Sequence, residues 1–192
     1  MSERREQRFR ITASGATNTY VYCHGAARRA LQRGLEHERG SFYFFMMAGV
    51  FAAFTLEAFL NHLGESQVQD WKALERRLGP REKLLLLRQM AGWSVDESRR
   101  PFQSLHGLMR LRDAVAHGKT ESKHSDEVIL ADPPEVVPKP EPEWMTLCTA
   151  DTASRLVDDA DAMVRELWRQ SGEVGDPFDS TGHGSSTISL VE

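Results

Sequence analysis

Helical periodicity begins near Tyr20, where Ala26, Ala27, Ala30 and Leu31 recur at helical spacing among Arg and Glu as far as about Glu38, with Gly40 as a stop. The next run, Phe42 to Leu56, is the most apolar in the chain and continues through Glu57, Asn61 and His62 to Leu63-Gly64. Its 15 apolar residues fall short of the roughly 20 that span a bilayer, and polar groups follow in the same helix, so the pattern predicts a central core helix and no membrane segment. Gly49, Ala53, Glu57 and Asn61 share one face of it, the small residues admitting a neighbouring helix and Glu57 then needing a partner at that contact.

A polar third segment, about Ser66 to Leu78, reads as a bundle helix that ends at Gly79-Pro80. A fourth helix runs from about Pro80 to Met90, with proline at its first position and the run Leu84 to Leu87. Pro101 opens a fifth helix that reaches His117, and Gly118 stands where a left-handed stop is expected. Helical pattern is then lost; Glu127 to Leu130 reads as extended, and the Pro-rich stretch 131–143 as stiff, polyproline-like chain. Thr149 is placed to cap a last helix, in which Ala153, Leu156, Val157, Ala160, Met163, Val164, Leu167 and Trp168 form a stripe with the 3.6-residue period. Residues 1–18 read as a flexible lead-in and residues 171–192 as a disordered tail, which leaves one helical domain over 19–170. With strand alternation at most a minor accessory, the expected fold is all-α: an up-and-down bundle of about five to six helices.

Composition narrows the function classes. A hydrophobic fraction of 40% and a charged fraction of 27% are those of an ordinary globular protein, and a net charge of −4 gives no overall pull towards nucleic acid. Cys23 and Cys148 form neither a disulfide framework nor a zinc pattern. The first residues have charge without a following apolar stretch, unlike a secretory signal, so the expected location is cytoplasmic. The histidines have no HExxH or paired ligand spacing, and there is no Gly-rich phosphate loop or serine nucleophile elbow, so neither a metal nor a cofactor is expected.

The candidate chemistry lies on the fifth helix. At about 100° per residue, Leu105, Leu108, Met109, Val115 and Ala116 fall around Arg112, which places Arg112 in the middle of the apolar stripe. A guanidinium there keeps its charge and needs a carboxylate, carbonyls, a partner subunit or a bound anion; Glu57 is the first candidate. His106, Arg110, Asp113 and His117 form a polar edge on the far side, with Arg110 seven residues before His117. The helix C-terminus and Asp113 both favour protonated His117, which suits a general acid. Arg112 and His117 diverge by about 140°, so they meet one substrate only if the helix end unwinds or a second copy contributes. The plainer alternative is that Arg112 tethers two helices as an ion pair and His117 is a solvated end residue.

Arg112 and His117 with four residues between them, following an apolar helix that bears Leu56-Glu-Ala-Phe-Leu-Asn-His-Leu63, resemble the HEPN superfamily, the small helical proteins of toxin–antitoxin and antiviral systems. The resemblance covers roughly Phe42 to Gly118. It implies a homodimer in which two Arg/His motifs face one cleft and, in active members, a metal-independent ribonuclease. Arg112 would then hold the scissile phosphate, and His117 would move protons during attack by the ribose 2′-hydroxyl. Asp113 stands where the family often has Asn, and Glu57, Arg110 and Asn61 are supporting residues. The implied partners are RNA, a second copy, and an antitoxin or defence-system protein.

Overall fold

The structure is a computed structural model, and it describes residues 8–124 and 140–191. Among these, six α-helices and two short 3-10 turns are joined by one pair of antiparallel strands. The order is β1 (Arg8–Thr17), α1 (Thr19–Glu36), α2 (Ser41–Gln67), α3 (Trp71–Leu74), α4 (Pro80–Ala91), a 3-10 turn (Phe102–Ser104), α5 (Leu105–His117), a second 3-10 turn (Glu143–Leu147), α6 (Ala150–Gln170) and β2 (Gly182–Val191). The expected extended segment 127–130 lies outside the described residues, as does most of the Pro-rich stretch.

α2 is the axis of the bundle, and α1, α4, α5 and α6 pack on it. Its inner face buries Ala48, Ala52, Leu56, Phe59, Leu60 and Leu63 against the stripe of α6, where Leu156, Met163, Val164 and Leu167 are fully enclosed. By length and composition α2 could cross a membrane, but half of its most apolar window is buried inside the bundle. α6 starts at its expected cap, with Thr149 Oγ1 accepting from the Thr152 amide. α4 has Pro80 at its first turn and stops on Gly92 in the left-handed region.

Four expectations change. The polar third segment is not a helix of its own. α2 runs on to Gln67, Asp70 takes a left-handed conformation (φ 59), and only the four residues of α3 follow. Trp71 folds back over Gly64 so closely that a Cβ there would strike the indole, which is why a glycine stands at that position. Gly118 is not a left-handed stop; its φ is −55. The helix expected from Pro101 opens with a 3-10 turn before α5 begins. The largest difference is at the two ends of the described chain. In place of a loose lead-in and a structureless tail, β1 and β2 pair over ten residues, Arg8 opposite Val191 through Thr17 opposite Gly182.

The turn before α5 is fixed by a buried carboxylate. Asp159 of α6 is 3% exposed and accepts from Arg100 Nε at 2.9 and 3.1 Å and from Ser104 Oγ at 2.5 Å. Asp159→Ala leaves the buried Ser104 hydroxyl without its acceptor, and a loss of about 1–3 kcal/mol is expected from that bond alone. Urea denaturation of Asp159→Ala and Ser104→Ala checks it; equal stability of Asp159→Ala and the parent would remove the clamp from the account of the fold.

Candidate functional site

Three helices converge on Glu57. From α5, Arg112 Nη2 donates to Glu57 Oε2 at 3.0 Å; from α4, Lys83 Nζ lies 3.7 Å from Glu57 Oε1. Lys83 is 2% exposed, and Glu57 is its ion-pair partner among the described residues. The second nitrogen of the guanidinium, Arg112 Nη1, donates to Asp113 Oδ1 at 2.7 Å. Two cations and two carboxylates therefore balance. The hydrogen bond to Asp113 foremost, and the Glu57 carboxylate with it, hold the Arg112 guanidinium above its ordinary pKa against the opposing effect of burial. Arg112 Nε is buried and has no partner among the described residues.

Arg112 is nearer the flank of the buried stripe than its middle. Leu105, Leu108 and Leu111 are enclosed, and their mean direction on the wheel lies about 40° from Arg112; Val115, 39% exposed, and Ala116, also exposed, belong to the last turn of the helix. The cause lies on α2: Leu111 fills the space over Gly49, where a Cβ would collide with it, and this close approach draws the Leu111 side of α5 inwards. Arg112 is left at the helix-helix margin, its side chain 24% exposed, within reach of both carboxylates.

The other predicted residues do not gather at this point. α5 stays regular to its end, so the helix does not unwind to turn His117 towards Arg112. His117 is exposed and, among the described residues, has no side-chain hydrogen bond or ion pair. Asp113, expected beside His117, is taken by Arg112. Arg110 pairs at 2.7 Å with Glu143 and so ties α5 to the second 3-10 turn. Asn61 lies apart, lining a cavity of about 270 Å³ with Asn18, Tyr20, His62 and Glu65 at the base of the strands, its buried Oδ1 without a partner among the described residues. Two larger concavities, about 560 Å³ around Arg165, Trp168 and Arg169 and about 440 Å³ around Arg99, Arg100 and Phe102, include neither Arg112 nor His117. No group of three or more His, Cys, Asp or Glu among the described residues could hold a metal ion.

Sequence reasoning missed one cluster. His24 of α1 shares a 2.9 Å hydrogen bond with Asp161 of α6 and stacks on Phe178, ring centroids 3.7 Å apart. Arg165 bonds Asp161, lies 2.8 Å from Asp176 and sits over the Phe178 ring. The spacing of Asp161 and Arg165 on one helix is visible in the sequence, but His24 and Phe178 come from opposite ends of it. The cluster fastens the segment from which β2 rises. Burial alone would raise Asp161, yet the hydrogen bonds from His24 and Arg165 outweigh it and hold the carboxyl below its ordinary range. A depressed carboxyl stabilises the fold above its unfolded pKa and loses that contribution as the pH falls through the folded one. Asp161→Asn is therefore expected to lose less stability than the parent between about pH 5 and pH 2. Urea midpoints across that range check it, and parallel curves would contradict it.

No family model matches the chain, and neither a curated protein nor a solved structure matches it. The resemblance to HEPN proteins thus stands on its residues alone.

Proposed function

We propose that this is a HEPN-like helical protein acting on RNA: a metal-independent endoribonuclease whose cleft is shared by two copies, working in a defence or toxin–antitoxin setting beside an antitoxin or defence-system partner in the cytoplasm. The observation that carries the reading is the end of α5, where a guanidinium oriented by Glu57 and Asp113 is followed five residues later by an unencumbered, solvent-facing imidazole. Arg112 would stabilise charge developing on the phosphate, and His117 would transfer the proton to or from the ribose 2′-hydroxyl or the leaving oxygen. Products would end in 2′,3′-cyclic phosphate. Within one chain the two groups diverge, so the second copy's α5 has to complete the site.

A second reading has its own support. Both terminal nitrogens of Arg112 are engaged by carboxylates, and Asp113 adds negative charge where a phosphate would approach, as suits a non-catalytic interaction module in which Arg112 locks α5 to α2. Incubation of the protein with mixed RNA in EDTA separates the two. Cyclic-phosphate fragments that vanish with His117→Ala support the ribonuclease; intact RNA with a well-folded protein supports the module.

A further inference from the structure

The paired strands form an arm. Every residue of β1 is exposed, and every residue of β2 except Gly182. Ten residues at about 3.3 Å each give it a length of roughly 33 Å. Near the helices the arm is a stalk of small and polar residues, Ala13 to Thr17 opposite Gly182 to Ser186. Towards the tip the composition changes. Phe9 pairs with Leu190 and Ile11 with Ile188, and because side chains alternate across a strand these four share one face. They are 56%, 57%, 68% and 69% exposed respectively. Arg8, Arg10, Thr12, Thr187 and Ser189 occupy the opposite face.

A two-stranded ribbon standing alone is marginal in water and needs further strands or a packed surface on its apolar side. The stalk carries the tip away from its own bundle. Two features select a second copy as the cover. The apolar face bears no charge over its whole length, so two such faces meet without like charges, while the arginines stay on the outer sides. Its two apolar rungs, one Phe–Leu and one Ile–Ile, also make it self-complementary, since a two-fold axis lying between the stacked faces and running along the strands sets Phe9 on the partner's Leu190 and Ile11 on the partner's Ile188, with both bundles at the same end of the arms. The four side chains present an apolar patch on the order of 400 Å² per arm. Two such faces bury about 800 Å², less than the roughly 1,200 Å² at the lower limit of stable interfaces, which fits a weak, reversible dimer.

We propose that two copies of this chain associate by stacking the Phe9, Ile11, Ile188 and Leu190 faces of their arms into a four-stranded sandwich. The inference rests on the two-copy part of the reading above and supplies its contact surface. Sedimentation velocity on the full chain at increasing concentration tests it, with Ile11→Glu/Ile188→Glu as the disrupting variant and Thr12→Glu/Thr187→Glu, on the opposite face, as the control. The expected result is a concentration-dependent dimer for the parent and the control, a dissociation constant at least about tenfold weaker for the disrupting variant, and the same far-UV circular dichroism for all three. Phe9→Ser/Leu190→Ser provides an uncharged second disruption. A parent that stays monomeric up to about 200 µM, including one that instead binds lipid vesicles, overturns the proposal. So does a disrupting variant that dimerises as the parent does. The two readings fail separately: a dimer dissolved by the arm substitutions but inert towards RNA removes the ribonuclease alone, and RNA cleavage by a dimer indifferent to those substitutions removes the arm contact alone.

Discussion

His117→Ala is expected to lower RNA cleavage by about 10²- to 10⁴-fold, the usual worth of a positioned proton-transfer group, while leaving the urea midpoint where it was. Both halves follow from its place in the structure. The imidazole is exposed at the last residue of α5 and, among the described residues, bonds to no side chain, so its removal takes nothing from the core. Arg112→Ala behaves differently: it too abolishes cleavage, but it also removes a bond to Glu57 and destabilises the protein. The contrast between the two variants is the informative measurement. Cleavage that survives His117→Ala would end the catalytic assignment, and a fold that collapses with Arg112→Ala while RNA remains untouched throughout would leave Arg112 as a tether.

Glu57→Ala is expected to cost about 3–5 kcal/mol, the largest stability loss among the substitutions considered. Glu57 balances an ammonium that is almost fully buried and a guanidinium at the helix margin, and its removal strands both. The penalty comes from the uncompensated charges, so removing one of them should recover part of it. Glu57→Ala/Lys83→Met is expected to be more stable than Glu57→Ala alone, because a methionine fills the lysine's place without a charge. Urea denaturation of the two variants gives the comparison, and a double variant less stable than the single one would show that Lys83 is held by its packing and not by Glu57.

What could be read from the amino-acid order is the part of the fold that depends on near neighbours. α4 and α6 stand where proline, a threonine cap and the 3.6-residue stripe placed them, and the Glu57–Arg112 pair follows from two charges on apolar faces that must meet. The rest depends on contacts between distant residues. The angular offset of Arg112 arises because Leu111 sinks over Gly49 of another helix, which an isolated wheel cannot contain. Asn61 shares a face with Glu57 on paper, but one further helical turn carries it to the base of the arm. β1 and β2 are too polar along their stalks to read as strands, and their partners lie at opposite ends of the sequence, so only pairing makes them recognisable.

That pairing has a mechanical consequence. With Arg8 opposite Val191 at the tip and Thr17 opposite Gly182 at the base, the arm closes the described chain into a loop. Tension applied between residues 8 and 191 loads the rungs one after another, as in opening a zipper, instead of shearing all ten together. The strands part at low force from the tip inwards, and the helices feel no load until the last rung at Thr17 has opened. The arm is a clasp that keeps load off the bundle until it has opened along its whole length.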